Sequence, residues 1–156
     1  MKKGLIQIYT GDGKGKTTAA LGLALRAVGH EMKVLMIQFM KGDQYGELES
    51  SKRLSPYLTL KQVGRETFIS KSNPDPKDLQ LAKEGFLMAK KAIQNKEYDI
   101  VILDEINLAV DYGLIPLTEI LHDRLQCRRQ RTQTRGRIGR RSRRLARQAR
   151  PANGQG

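Results

Sequence analysis

The sequence predicts an α/β fold with a mostly parallel sheet and helices on both faces. Three observations carry that expectation. Short apolar runs alternate with amphipathic stretches along the first 123 residues, which is how successive βαβ units read. The runs Val34–Phe39 and Tyr98–Leu103 lack the in-out alternation of a one-sided strand and suit strands covered on both faces. Finally, a glycine-rich turn stands between the first apolar run and the first helical stretch, the context in which a phosphate-binding loop becomes credible.

In chain order, Leu5 to Tyr9 reads as the first strand, apolar enough to be buried on both faces. A helix from Thr17 buries Ala20, Leu21, Ala24 and Val28 and stops at Gly29, where glycine suits a helix end. Val34 to Phe39 is a second buried strand, closed by Lys41-Gly42. Residues 43–56 are polar and turn-rich, with a short helix from Glu47, and Leu58 to Val63 alternates as a half-covered or edge strand. Gly64 to Pro76 is a loop broken by Asn73-Pro74-Asp75-Pro76. From Lys77 to Asn95 one helical face carries Leu79, Ala82, Phe86, Ala89 and Ile93. The fourth strand, Tyr98 to Leu103, ends in Asp104-Glu105, and helical pieces follow at Leu108–Tyr112 and from Pro116 to about Leu125.

The turn reads Gly11-Asp12-Gly13-Lys14-Gly15-Lys16-Thr17-Thr18. Glycines let the main chain approach an anion, and its N–H groups, with the positive end of the next helix, converge on phosphate oxygens. Lys16 supplies a charge for the outer phosphates of a nucleotide such as ATP, and the Thr17 hydroxyl is a ligand for Mg²⁺ (or Mn²⁺). The usual first glycine of the motif falls on Thr10, with Gly11 one residue late, so the triphosphate is expected to lie differently from that of a standard ATPase. Asp104 and Glu105, at the end of a buried strand, are the carboxylates expected opposite Thr17 to hold the metal. Spacing does not say which of the two touches it.

Composition bounds the rest. The net charge of +13 is unevenly spread: residues 124–156 hold 12 of the 29 basic residues and none of the 16 acidic ones, leaving 17 against 16 in residues 1–123. A nearly neutral domain thus carries a polycationic tail. No run approaches the ~18 apolar residues of a membrane span, and the start has no signal-peptide pattern. The single Cys127 makes no internal disulfide, and His30 and His122 have no metal-ligand spacing. A cytoplasmic protein without a membrane partner is the expectation.

Several motifs together resemble one family. Thr10 to Ala20, Arg26-Ala27-Val28-Gly29, Ile37-Gln38-Phe39-Met40-Lys41-Gly42, Val101 to Asn107 and Tyr112-Gly113-Leu114-Ile115 look like an ATP:corrinoid adenosyltransferase of the cobalamin pathway, in register from about Gly4 to Leu121. The resemblance implies a homodimeric, RecA-like P-loop fold. It also implies transfer of the 5′-deoxyadenosyl group of ATP to the Co(I) of a reduced corrinoid, with release of triphosphate, and a reductase, such as a flavoprotein, to supply Co(I). Carried over, Gly11 to Thr18 bind ATP, with the nucleotide reversed relative to standard P-loop enzymes, and Thr17 with Glu105 holds the metal. Phe68, in the looser match Gly64-Arg65-Glu66-Thr67-Phe68, corresponds to an aromatic that packs by the corrinoid. By itself Phe68 also reads as a core side chain.

The resemblance stops near Asp123, where an arginine-rich stretch replaces the family's closing strands. Residues 124–156 are therefore expected to be a disordered tail, either a basic arm that binds nucleic acid non-specifically through phosphates or the product of a frameshift. The change of composition falls inside a helix rather than at a linker, which favours the frameshift, a fold truncated at its C-terminal part and weak transfer. Two rival functions remain: a RecA-like ATPase or kinase, told apart by releasing ADP and phosphate rather than triphosphate, and a polyanion-binding protein acting through the tail.

Overall fold

The structure is a computed structural model and describes residues 5–121. Its elements lie in the unit that ends at Leu117: α1 (Lys16–Val28), β1 (Val34–Phe39), α2 (Gly46–Arg53), β2 (Leu58–Val63), α3 (Pro76–Asn95), β3 (Ile100–Asp104) and α4 (Ile106–Asp111). Residues 117–121 are helical, as expected from Pro116. The rest of that helix and the tail from Arg124 lie outside the described residues.

The three strands form one parallel sheet in the order β2-β1-β3. Every residue of β1 is buried, as befits the central strand of an apolar run, whereas β2 keeps the half-covered pattern of an edge. From β1 the chain moves to β2 on one side, then returns past β1 to β3. Crossovers between parallel strands are right-handed, so this reversal of direction puts α2 and α3 on opposite faces. The packing agrees. Ala20, Ala24 and Ala27 of α1 and Leu48 of α2 pack with Val34, Met36, Leu58, Leu60 and Ile102 on one face. Gly85 of α3 meets Val63, whose side chain points to the other.

The apolar face of α3 differs from the one the sequence predicts. Ala82, Phe86 and Ala89 are buried as expected, but Leu79 and Ile93 are 40% and 37% exposed. Asp78, Gly85 and Ala92 turn inward instead. Small residues let the helix axis approach the sheet: a β-carbon at Gly85 would lie 2.6 Å from Val63 Cγ2. Close approach along that stripe outweighs the two large side chains at its ends. Asp78 is tolerated inside because Arg65 grips it with two bonds, of 2.7 and 2.6 Å, tying the loop after β2 to the start of α3. The hydrogen bond to Asp78 holds the Arg65 guanidinium above its ordinary pKa. Asp75 caps α3 by accepting from the Lys77 amide.

The strand expected at Leu5–Tyr9 is not formed. Those residues have no strand geometry, and Leu5, Ile6, Ile8 and Tyr9 are 45–75% exposed. An apolar run becomes a strand only with a neighbouring ladder and a face to bury against. No pairing of this run with a strand forms among the described residues, and β3, an edge of the sheet, stays half-buried from Ile100 to Leu103. Among the described residues the sheet therefore has three strands rather than four.

Two chain crossings fix the carboxyl end of the sheet. A β-carbon on Gly42 would lie 2.5 Å from the carbonyl carbon of Arg65. One on Gly64 would lie 2.6 Å from the carbonyl carbon of Met40, and closer still to the Lys41 amide nitrogen. The turns after β1 and β2 thus pass one another backbone to backbone, which only glycine permits. Met40, at φ 58°, directs Lys41 out of this crossing towards β3.

Candidate functional site

The glycine-rich turn leads directly into α1. Gly11 and Gly15 have φ of 125° and 100°, angles costly for any residue with a β-carbon. Gly15 is the N-cap of α1 and no side chain caps it, so the first helical N–H groups and the positive end of the helix dipole face the turn. The Lys16 ammonium folds back over the turn and donates to the carbonyl oxygens of Gly11 (2.5 Å) and Gly13 (2.6 Å). A cation held over the turn by two carbonyl oxygens is suited to an anion with several oxygens, which would exchange for the two carbonyls. Asp12, Gly13, Lys14 and Thr18 are exposed.

Across from the turn, the carboxyl ends of β1 and β3 bring a second group together. Thr17 Oγ1 donates to Asp104, 3.0 Å from Oδ1 and 3.2 Å from Oδ2. The Asp104 carboxylate is 8% exposed. It also accepts from Lys41 Nζ at 2.8 Å and from Gln38 Nε2 at 3.2 Å. Lys41 reaches Thr17 as well, donating to its hydroxyl at 3.3 Å. Gln38 is fully buried; it bonds Glu47 of α2 through Nε2 and accepts from Gln62 of β2 through Oε1, both at 3.2 Å. A buried carboxylate needs such donors, since an uncompensated charge there is costly.

Of the residues singled out from sequence, the structure joins Thr17 to Asp104 directly, with Lys16 one residue away on the same turn of α1. Glu105 follows as the N-cap of α4 at φ 61°, and its side chain has no polar partner among the described residues. Phe68 stands apart in the loop after β2 and is fully exposed, which removes the core-packing alternative. Among the described residues no three histidine, cysteine or acidic side chains cluster as a metal site. A hard cation would instead depend on oxygen donors of mixed type: the Thr17 hydroxyl, the Asp104 carboxylate and the adjoining Glu105. That donor set suits Mg²⁺ or Mn²⁺, and the Lys41 ammonium shows that the spot attracts positive charge.

Sequence reasoning did not place Lys41, Gln38, Gln62 or Glu47 in the site. Gln38 offered a signal, a single amide in an otherwise apolar central strand. Lys41 offered its place after that strand and within the motif Ile37–Gly42, but its direction depends on the crossing at Gly42 and Gly64.

Residues 2–138 match the model of a family described as ATP:corrinoid adenosyltransferase BtuR/CobO/CobP, a match that runs past Asp123 into the arginine-rich segment. The corrinoid adenosyltransferase of Escherichia coli strain K12 is 38% identical over 121 residues, 77% of this chain and 60% of the relative. The protein of the same name from Pseudomonas aeruginosa is 31% identical over 122 residues, 78% and 60%. Corrinoid adenosyltransferase CobA of Salmonella typhimurium is 36% identical over 121 residues, 77% and 60%. The chain thus spans about 60% of the length of these relatives. No helix among the described residues is long and apolar enough to cross a membrane. The glycine turn, the strand ending in Asp104-Glu105 and these matches lead to one conclusion: the chain belongs to the ATP:corrinoid adenosyltransferase family.

Proposed function

We propose that this protein binds ATP in the turn from Gly11 to Thr18 and transfers its 5′-deoxyadenosyl group to the Co(I) of a corrinoid, releasing triphosphate. The observation that carries the reading is the Thr17–Asp104 pair beside an uncapped helix N-terminus, in a chain of this family. Nothing comparable favours the rival ATPase, kinase or polyanion-binding readings.

In this reaction the electron pair of Co(I) attacks C5′ of the ribose, a cobalt–carbon bond forms, and the C5′–oxygen bond breaks with its electrons leaving on triphosphate. Co(I) is the nucleophile, so the protein supplies no general base. The chain's own residues hold and orient. Lys16 exchanges the Gly11 and Gly13 carbonyls for phosphate oxygens, and the amides at the start of α1 face the charge that builds on the leaving group. Thr17, Asp104 and Glu105 would hold Mg²⁺ (or Mn²⁺), which supplies further neutralisation of the triphosphate. Phe68 is read as the contact for the corrinoid, and its exposure on a loop supports this, since a large flat ligand needs an apolar surface outside the core.

The family resemblance supports a homodimer working with a Co(I)-generating reductase, and the use of ATP supports a cytoplasmic setting. Residues 124–156 are read as the product of a frameshift, and any dealings they have with nucleic acid are non-specific. The test is product analysis with ATP, Mg²⁺ and chemically reduced cobalamin. Adenosylcobalamin with an equal amount of triphosphate is expected, formed weakly by this chain; ADP and phosphate as the products would replace this reading with the ATPase one.

A further inference from the structure

We propose that Lys41 is a built-in counter-ion for Asp104 which a divalent cation must displace before it can enter the site. The inference deepens the proposed function and rests on reading Thr17 and Asp104 as the metal's ligands.

The Lys41 ammonium lies 2.8 Å from Asp104 Oδ2 and 3.3 Å from Thr17 Oγ1, so it uses both groups that the cation would need. The Thr17 hydroxyl donates to Asp104 and accepts from Lys41, which engages the oxygen that would otherwise face a metal. Gln38 Nε2 also donates to Asp104 Oδ2, at 3.2 Å. Two cations cannot share these oxygens, because the carboxylate offers one negative charge and the like charges repel at such range.

Nor is Lys41 an incidental surface residue. Its side chain is 19% exposed and that of Asp104 7%, so the pair is shielded from screening by salt. The backbone crossing at Gly42 and Gly64, with Met40 at φ 58°, fixes its direction. Tyr45, whose ring centroid is 5.8 Å from Nζ, offers the ammonium a second contact near its present one. A metal arriving alone must therefore break a shielded ion pair and leave the ammonium with nothing better than a ring face. A metal arriving with a polyphosphate brings anionic oxygens for Lys41 to join. Metal and polyphosphate affinities are then coupled, each favouring the other.

The experiment titrates Mn²⁺ alone, without nucleotide or corrinoid, into the full chain and reads free Mn²⁺ by electron paramagnetic resonance. Lys41→Met is expected to bind Mn²⁺ about ten-fold tighter than the parent, a change of about 1.4 kcal/mol. Adding Asp104→Asn to that variant should remove the gain. Lys41→Gln, which keeps a donor for Asp104, should bind more tightly than the parent and serves if the methionine variant does not fold. Equal Mn²⁺ affinity in parent and folded Lys41 variant, or a gain that survives Asp104→Asn, would overturn the proposal. Since neither ATP nor corrinoid is present, failure of the transferase reading would leave these titrations unchanged.

Discussion

Replacing Gly64 by alanine puts a methyl group where two stretches of backbone already touch. The new carbon would lie 2.6 Å from the carbonyl carbon of Met40 and 2.9 Å from the carbonyl oxygen of Lys41. Carbon contacts are relaxed near ~3.5–4.0 Å, so the turns after β1 and β2 must part by about 1 Å. No side chain can rotate away to make that space. Overpacking costs ~1–3 kcal/mol, and main-chain neighbours place this case at the upper end. Stiffening of the unfolded chain returns about 0.4–1 kcal/mol, leaving a loss of roughly 2 kcal/mol. For a domain of this size that is a fall in Tm of roughly 6–10 °C. Circular dichroism melts of Gly64→Ala and Gly22→Ala make the comparison. Gly22 lies inside α1 with open space around its missing β-carbon, and alanine there should stabilise by about 0.5–1 kcal/mol. The same 1 Å shift draws Lys41 off Asp104, so Gly64→Ala should also change Mg²⁺-dependent ATP affinity. A Gly64→Ala protein as stable as the parent would refute the close crossing and the reasoning built on it.

Three further outcomes are expected. Lys16→Ala should abolish measurable ATP binding by calorimetry, whereas Thr17→Ala should chiefly reduce the part that depends on Mg²⁺; unchanged affinity in Lys16→Ala would sink the phosphate-site assignment. Gly85→Ala should cost ~1–2 kcal/mol in urea melts, because its methyl group meets Val63, and Val63→Ala in the same chain should relieve it with a coupling of about 0.5–2 kcal/mol. Additive effects would mean the two do not touch. Any affinity for DNA should fall steeply with salt and disappear on deleting residues 124–156, whose twelve arginines are the chain's concentrated positive charge; binding kept by residues 1–123 would place it elsewhere.

The strands of the sheet were legible because periodicity reports burial: Val34–Phe39 and Leu58–Val63 have the expected bounds, and β3, Ile100–Asp104, overlaps the expected run Tyr98–Leu103 and extends it to Asp104. The Thr17–Asp104 meeting could also be anticipated, since a parallel α/β sheet brings strand ends and the loops beside them to one edge. Other features depend on partners that local sequence does not name. Leu5–Tyr9 has a strand's composition but no ladder, and α3 turns on small residues that allow close approach rather than on its largest ones. Lys41 enters the site through a crossing of Gly42 with Arg65 and of Gly64 with Met40, contacts 23 and 24 residues apart in the chain. Phe68 was the least legible, as a lone aromatic in a loop carries no period to read.

The amides and carboxylate at the sheet's upper edge also act on the assembly of the sheet itself. Gln62, Gln38 and Asp104 are direct partners in the strand register, and their side chains form a continuous row of hydrogen bonds across all three strands. A slip of two residues would keep every side chain on its proper face, so the apolar pattern alone resists it weakly. It would nevertheless set Gln38 opposite Leu60 or Ile102 and strand a buried amide, at a cost of about 1–3 kcal/mol for each unsatisfied group. The polar row therefore works as a key that fits one alignment. A chain whose strands have locked together correctly has, by the same act, brought Asp104 to Thr17, and misaligned molecules are penalised where they would also be inactive.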